Sequence, residues 1–235
     1  MSHIHLPDGV IPVFWWVIGY IITAAMLAFS FYRTESMGLR RKIPLLGIMS
    51  ALMLIGQSIP LGFIPFHLNL AILSGIVLGP WLGFIAVFIT NLFLAFLGHG
   101  GITVVGLNTV IVGTEAILGY LLFNAFRRIL VPLPFAAATA VILALIFSIT
   151  LMVGVVSLSN INPAMVLSER LEGLRRIQAP EARPSISIPR FVIIIAPFAV
   201  IGIAIESVVT GLIIRFIEKV RPEIIDYSRV AGGGS

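Results

Sequence analysis

The sequence predicts an all-α integral membrane protein with about seven transmembrane helices, an external N-terminus and a cytoplasmic C-terminus. Of its 235 residues, 59% are hydrophobic and only 11% are charged, whereas soluble domains average about 25% charged residues. Several apolar runs reach the roughly 20 residues that a helix needs to cross a hydrocarbon core. The short alternating segments of a membrane β-barrel do not occur.

Hydropathy and the positions of basic residues divide the chain into spans. We expect residues 68–97 to form two short helices that turn at Gly79-Pro80, because glycine and proline break helices. Loops 33–42, 127–128 and 219–229 are rich in basic residues and are therefore placed in the cytoplasm, although the external linker 159–190 also carries five arginines. The other predicted spans are 10–32, 43–63, 106–126, 134–158 and 191–216.

This division predicts an N-terminal metal-binding segment, residues 1–9, and one transmembrane domain, residues 10–230. Residues 159–190 form an extracytoplasmic linker, where Leu167, Leu171 and Leu174 suggest a short amphipathic helix. Residues 231–235 resemble an appended expression linker, and no cleavable signal peptide is expected. The net charge of +5 is attributed to the bias of basic residues towards the cytoplasm rather than to nucleic-acid binding.

The N-terminal segment contains two of the four histidines in the chain, which has no cysteine. A transition metal must therefore be held by nitrogen or oxygen. The amine of Met1, the amide nitrogens of Ser2 and His3 and the His3 imidazole can form fused rings in one plane, which suits Ni(II) and Cu(II). If Met1 is removed, Ser2-His3 supplies three donors, and His5 or His67 supplies the fourth.

The predicted topology places His3, His5, His67 and His99 on the outer side of the membrane. Two simpler interpretations stay open: a terminal histidine that is only solvated, and His99 as part of a tight glycine turn. The remaining polar residues of interest are candidates for supporting roles. Gln57, Asn69 and Asn108 are expected to join helices or to position the terminal loop, with Asp8 as a further candidate.

Within the spans, Glu115 and Glu206 are either hydrogen-bonded between helices or functional, because an ionisable group in a membrane is costly. The pair Ala24-x-x-x-Ala28 suits close helix packing and is a candidate contact for a membrane partner.

The segment His5-Leu6-Pro7-Asp8-Gly9 resembles the Met-His-Ile-Pro-Asp-Gly start of one transporter family. These proteins are the substrate-binding S components of cobalt/nickel energy-coupling-factor (ECF) transporters, the CbiM/NikM family. The resemblance continues at residues 67–68, 78–81, 98–108 and 201–206. It covers most of the chain except the linker 159–190.

The resemblance implies a seven-helix body whose N-terminal loop inserts inward and holds Ni(II) or Co(II). The implied ligands are the terminal amine, the amide and side chain of a second-position histidine, and a later histidine that matches His67. This chain starts two residues earlier, so His5 matches by motif and His3 by distance from the terminus once Met1 is removed. We favour His3 and retain His5. His99 replaces the acidic residue that the family has in the glycine turn.

The sequence has no phosphate-binding loop for ATP. The resemblance therefore implies a membrane scaffold T subunit, two ABC-type ATPase subunits and a small accessory membrane subunit as partners. We expect a non-enzymatic metal-capture component without an organic cofactor, multi-pass in the inner (plasma) membrane of a prokaryote. The Pro-Asp-Gly opening and the planar nitrogen set lean towards nickel, and cobalt stays open as the alternative.

Two other classes of function can be compared with metal capture. An autonomous divalent-metal permease or channel is the alternative, and it should show a line of intramembrane carboxylates; only Glu115 and Glu206 are available. A membrane metalloprotease would need a His-Glu-x-x-His helix, which the sequence lacks.

Overall fold

The computed structural model describes residues 6, 8–35, 39–59, 67–166 and 186–225, and its regular structure over these ranges is helical, without strands. The predicted all-α class is therefore confirmed. A short 3-10 turn, Pro222–Ile224, follows the last helix. The helices are α1 (Val13–Glu35), α2 (Leu39–Ser58), α3 (Ala71–Leu78), α4 (Pro80–Phe96), α5 (Val105–Arg128), α6 (Leu133–Leu158) and α7 (Ile188–Val220).

Four of these helices, α1, α5, α6 and α7, are long and apolar enough to cross a bilayer. The apolar part of α2, Lys42–Ser58, and the whole of α4 are shorter. Large apolar side chains such as Phe14, Ile21 and Ile193 are exposed on the outside of the bundle, as expected for a surface that contacts lipid. The chain is thus a membrane protein. The count of seven spans and the orientation stay predictions, and the amphipathic helix predicted around Leu171 lies outside the described residues.

Helix α5 lies at the centre of the bundle and packs against α1, α3, α4 and α6. Glycines on α5 permit this close packing, because a Cβ on Gly106 would lie 2.6 Å from the Tyr20 nitrogen and one on Gly113 would lie 2.4 Å from the Phe84 ring. Helix α7 packs against α6, and α2 packs against α4.

Helices α3 and α4 form a hairpin in the middle of the bundle. They meet at Gly79, whose φ of 89° lies in the region that favours glycine, and Pro80 begins α4. The predicted turn at Gly79-Pro80 is therefore confirmed. All eight residues of α3 are buried.

The hairpin crosses α5 where three backbones approach one another. A Cβ on Gly83 would lie 2.8 Å from the Gly75 Cα, and a Cβ on Gly75 would lie 2.0 Å from the carbonyl oxygen of Ala116. Small residues are what allow membrane helices to approach this closely.

We predict that Gly75→Ala destabilises the protein by about 1–3 kcal/mol, because the added methyl group must displace the backbone of α5. The measurement is the thermal unfolding midpoint in detergent. Gly47→Ala is the matched control, since nothing lies within 4 Å of a Cβ at Gly47. Equal midpoints for the two variants would contradict the crossing.

Candidate functional site

The N-terminal segment is fastened to the start of α5. The backbone nitrogen of Leu6 donates to Asn108 Oδ1 at 2.9 Å, and Asn108 Nδ2 donates back to the Leu6 carbonyl at 3.1 Å. Leu6 is fully buried. This is the geometry expected of Asn108 as a residue that positions the terminal loop.

Asp8 makes a second attachment two residues later. Its carboxylate accepts hydrogen bonds from the backbone nitrogens of Ile102 at 2.9 Å and Thr103 at 2.8 Å, and from the Thr103 hydroxyl. A Cβ on Gly101 would lie 2.2 Å from Asp8 Oδ1, so only glycine leaves room for the carboxylate. Bonds to a charged acceptor are stronger than neutral ones.

These bonds also affect the ionisation of Asp8. Partial burial raises its pKa, but the bonds from the Thr103 hydroxyl and from the backbone of Thr103 and Ile102 outweigh burial, and the pKa lies below its ordinary value. The attachment is therefore made by the charged form at neutral pH.

Helix α1 also bonds to the turn that contains Ile102 and to the start of α5. The Tyr20 hydroxyl donates to the Ile102 carbonyl, and Thr23 Oγ1 donates to the Gly106 carbonyl at 2.7 Å. The turn, residues 98–104, is thus bonded both to the N-terminal segment and to α1.

The turn carries His99 next to His67. Their ring centroids are 6.3 Å apart, with an interplanar angle of 70°. His99 is exposed between Gly98 and Gly100, which have φ values of 78° and 84°. His67 is half-buried.

The other predicted ligands, Met1, Ser2, His3 and His5, lie outside the described residues. Over the part of the chain that is described, no group of three or more His, Cys, Asp or Glu residues could hold a metal. The ligand set therefore stays a prediction.

From His67 the chain runs into the bundle as a non-helical segment, residues 67–70. Leu68 donates its backbone N–H to the Gly56 carbonyl at 2.9 Å. Gln57 Nε2 donates to the backbone oxygen of Asn69 at 3.2 Å and to its side-chain oxygen at 3.1 Å. The end of α2 thus supports this segment through a residue, Gln57, that the sequence had indicated.

The inner end of segment 67–70 meets the two buried glutamates. Asn69 Nδ2 and the Ser148 hydroxyl both donate to Glu115, and Leu70 N donates to Glu206 Oε1 at 3.3 Å. Glu115 is 0% exposed and Glu206 is 1% exposed. Glu115 lies about 15 Å along α5 from its first residue, so the segment penetrates deeply.

Other predicted residues lie apart from this site. Ala24 and Ala28 are exposed on α1, and their contact with a partner stays a prediction. The sequence did not indicate Thr103, Tyr20 or Ser148, because single hydroxyl groups in apolar stretches have no characteristic spacing.

Comparison with known proteins gives a consistent result. A family model described as the cobalt uptake substrate-specific transmembrane region, CbiM, matches residues 5–224. The chain is 27% identical over 150 residues to the cobalt transport protein CbiM of Geobacter sulfurreducens, a match covering 60% of this chain and 43% of that protein. A Haemophilus influenzae protein named for metal transport is 30% identical over 124 residues, covering 52% and 58% respectively. The matches thus span about half the length of these curated relatives.

Two solved structures share the fold. A transition-metal transporter matches with a TM-score of 0.70 and 17% identity over 97% of this chain and 100% of that one. A truncated transition-metal transporter matches with a TM-score of 0.69 and 16% identity over 92% and 98%.

We predict that Asp8→Asn accelerates hydrogen exchange at the Ile102 and Thr103 amides by about tenfold at neutral pH, because the charged acceptor is lost. Exchange followed by mass spectrometry provides the measurement. Thr103→Ser, which keeps the hydroxyl and the backbone donor, should exchange like the parent protein.

The pH dependence of the same attachment has a defined sign. The pKa of Asp8 is lower in the folded protein than its ordinary value. The charged carboxylate therefore contributes its full stabilisation to the folded protein above the ordinary aspartate pKa of about 3.9. That contribution is lost as the pH falls through the lowered folded pKa. Protection of the Ile102 and Thr103 amides, corrected for intrinsic exchange rates, should persist to about pH 4 and decline below it. A loss of protection between pH 7 and 5 would contradict this assignment.

Proposed function

Because the chain belongs to the CbiM family of cobalt uptake transmembrane proteins, we propose that it is the metal-capture S component of an ATP-driven ECF importer for Ni(II) or Co(II). The main supporting observation is the attachment of the N-terminal segment. Bonds at Leu6 and Asp8 fasten it to the residues around the turn that carries His99 beside His67.

The attachment at Leu6 limits how far the Met1 amine can lie from the start of α5. Five residues precede Leu6, and an extended chain of that length reaches at most about 17 Å. His99, whose ring centroid lies 6.3 Å from that of His67, is assigned a supporting position beside the ion rather than a place among its ligands.

We propose that the ion is held by the terminal amine, a backbone amide, the imidazole of His3 or His5, and His67. Distance from the terminus favours His3, whereas the family match begins at His5. An all-nitrogen set suits Ni(II). Every donor must be unprotonated, so affinity should fall at low pH.

On this proposal the chain is not an enzyme and needs no organic cofactor, since the ion is its substrate. A membrane scaffold subunit, two ATPase subunits and a small accessory membrane subunit would supply the coupling in a prokaryotic inner membrane. The exposed face of α1 that contains Ala24 and Ala28 is suited to close contact with the scaffold.

An autonomous permease is the second candidate, because Glu115 and Glu206 are intramembrane carboxylates. Their bonds to Asn69, Ser148 and the Leu70 backbone give them a structural use instead.

We predict that one glycine added before Met1, or His3→Ala, weakens Ni(II) binding by more than about 100-fold, because the terminal chelate loses its register or its imidazole. His67→Ala should weaken binding in the same way. Calorimetry in detergent measures the affinity, and one glycine added after Ser235 is the matched control. His5→Ala tests the alternative register. Parent-like binding by the extended, His3→Ala and His67→Ala proteins would refute the proposed site.

We also predict that uptake of radioactive nickel into cells requires the partner ATPase. Cells that carry this chain with an ATPase mutated in its phosphate-binding loop should accumulate no more nickel than cells without the chain. Uptake that survives loss of the ATPase would instead support the permease.

A further inference from the structure

We infer that Glu115 and Glu206 are positioning residues for His67, holding segment 67–70 in the conformation that presents the imidazole to the ion. This inference rests on the proposed function, since it assigns the glutamates a role in the same metal site. Neither glutamate is proposed to touch the ion.

The shape of segment 67–70 creates the need for such support. His67 lies beside the exposed turn residue His99, whereas Asn69 is 0% exposed and lies against Glu115. Within three residues the chain therefore passes from the end of the bundle to its interior without helical hydrogen bonds. Non-helical backbone at that depth persists only where protein groups satisfy it.

The hydrogen bonds that support this segment from other helices come from α2, α5 and α7. Helix α2 supplies the Gly56 carbonyl and the Gln57 amide. Helix α5 supplies Glu115 to the Asn69 side chain, and α7 supplies Glu206 to the Leu70 backbone nitrogen. Ser148 of α6 donates to Glu115 and so fixes the direction of that carboxyl group.

Carboxyl groups suit this position for two reasons. Leu70 is the N-cap of α3, where N–H groups lack helical acceptors and the helix dipole favours negative charge. Leu70 also has a φ of 58°, a left-handed conformation that is unfavourable for a non-glycine residue. The acceptor on α7 offsets part of that cost.

Displacement of the segment would move His67, three residues away. Metal–nitrogen bonds tolerate deviations of only about 0.2 Å, so loss of an anchor should lower affinity even though the imidazole remains. The Ni(II) affinity of the site that includes His67 would then depend on how α5 and α7 pack against segment 67–70.

The test compares shape-conserving and acceptor-deleting variants, with Ni(II) as the probe. Glu206→Gln keeps an oxygen for Leu70 N, and Glu115→Gln keeps an oxygen for Asn69 while its amide can donate to Ser148. Glu206→Leu and Glu115→Leu remove the acceptors. Thr210→Val is the matched control, because Thr210 is buried one turn from Glu206 and its hydroxyl makes no hydrogen bond to a described residue.

Three quantities are measured for each variant: Ni(II) affinity by calorimetry, the Ni(II) ligand-field absorption band and the thermal unfolding midpoint. We expect both leucine variants to bind Ni(II) about tenfold or more weakly, with a shifted band, and both glutamine variants to stay within about threefold of the parent. Thr210→Val should keep the parent affinity and band.

A purely structural role would lower the unfolding midpoint of the leucine variants and leave the affinity and band of the folded fraction unchanged; that result would overturn the inference. Equal weakening by Thr210→Val would overturn it too. If Glu206→Leu does not fold, Glu206→Asp takes its place, because the shorter side chain moves the acceptor away from the Leu70 nitrogen. Unchanged Ni(II) affinity of Glu206→Asp would refute the positioning role of Glu206. If His67→Ala and the parent protein bind Ni(II) alike, the proposed function itself fails.

Discussion

The structure depends on one constraint: backbone polar groups inside a membrane must find partners within the protein. Most of the described chain meets this constraint with helices, whereas segment 67–70 enters the bundle without helical hydrogen bonds before α3 begins. The hydrogen-bond partners of this segment come from four residues of other helices: Gly56, Gln57, Glu115 and Glu206. Polar groups that are costly in an apolar bundle are thus concentrated where the backbone leaves the helical pattern.

The candidate site is assembled from three separate parts of the sequence. Asp8 and Leu6 connect the N-terminal segment to the turn and to the start of α5, and α1 holds that turn through Tyr20 and Thr23. His67 arrives on a segment supported from α2 and from the core. The site therefore relies on tertiary contacts rather than on any local motif, which is why its supporting residues are spread over the whole bundle.

Much of the fold was predictable because hydropathy and helix breakers act locally. The apolar runs indicate the helices, Gly79-Pro80 indicates the hairpin, and Asn108 was indicated as a support for the terminal loop. The contact between Asp8 and Thr103 and the depth at which α3 begins were not predictable. They join residues that are distant in sequence, and they depend on how helices pack around Gly75, Gly83 and Ala116.

The short helix α3 has a consequence for the path of a charged solute. Beyond Leu70 the axis of the bundle is filled by buried side chains, mostly aliphatic, among them Ile72, Ile76 and Leu78. Stripping an ion of water to enter such a medium costs several kcal/mol or more. This apolar core is therefore a barrier to an ion that would move inward from His67. On the proposed function, an ion held near His67 would therefore reach the other side of the membrane at lower energy if the whole protein tilted than if the ion passed through this core.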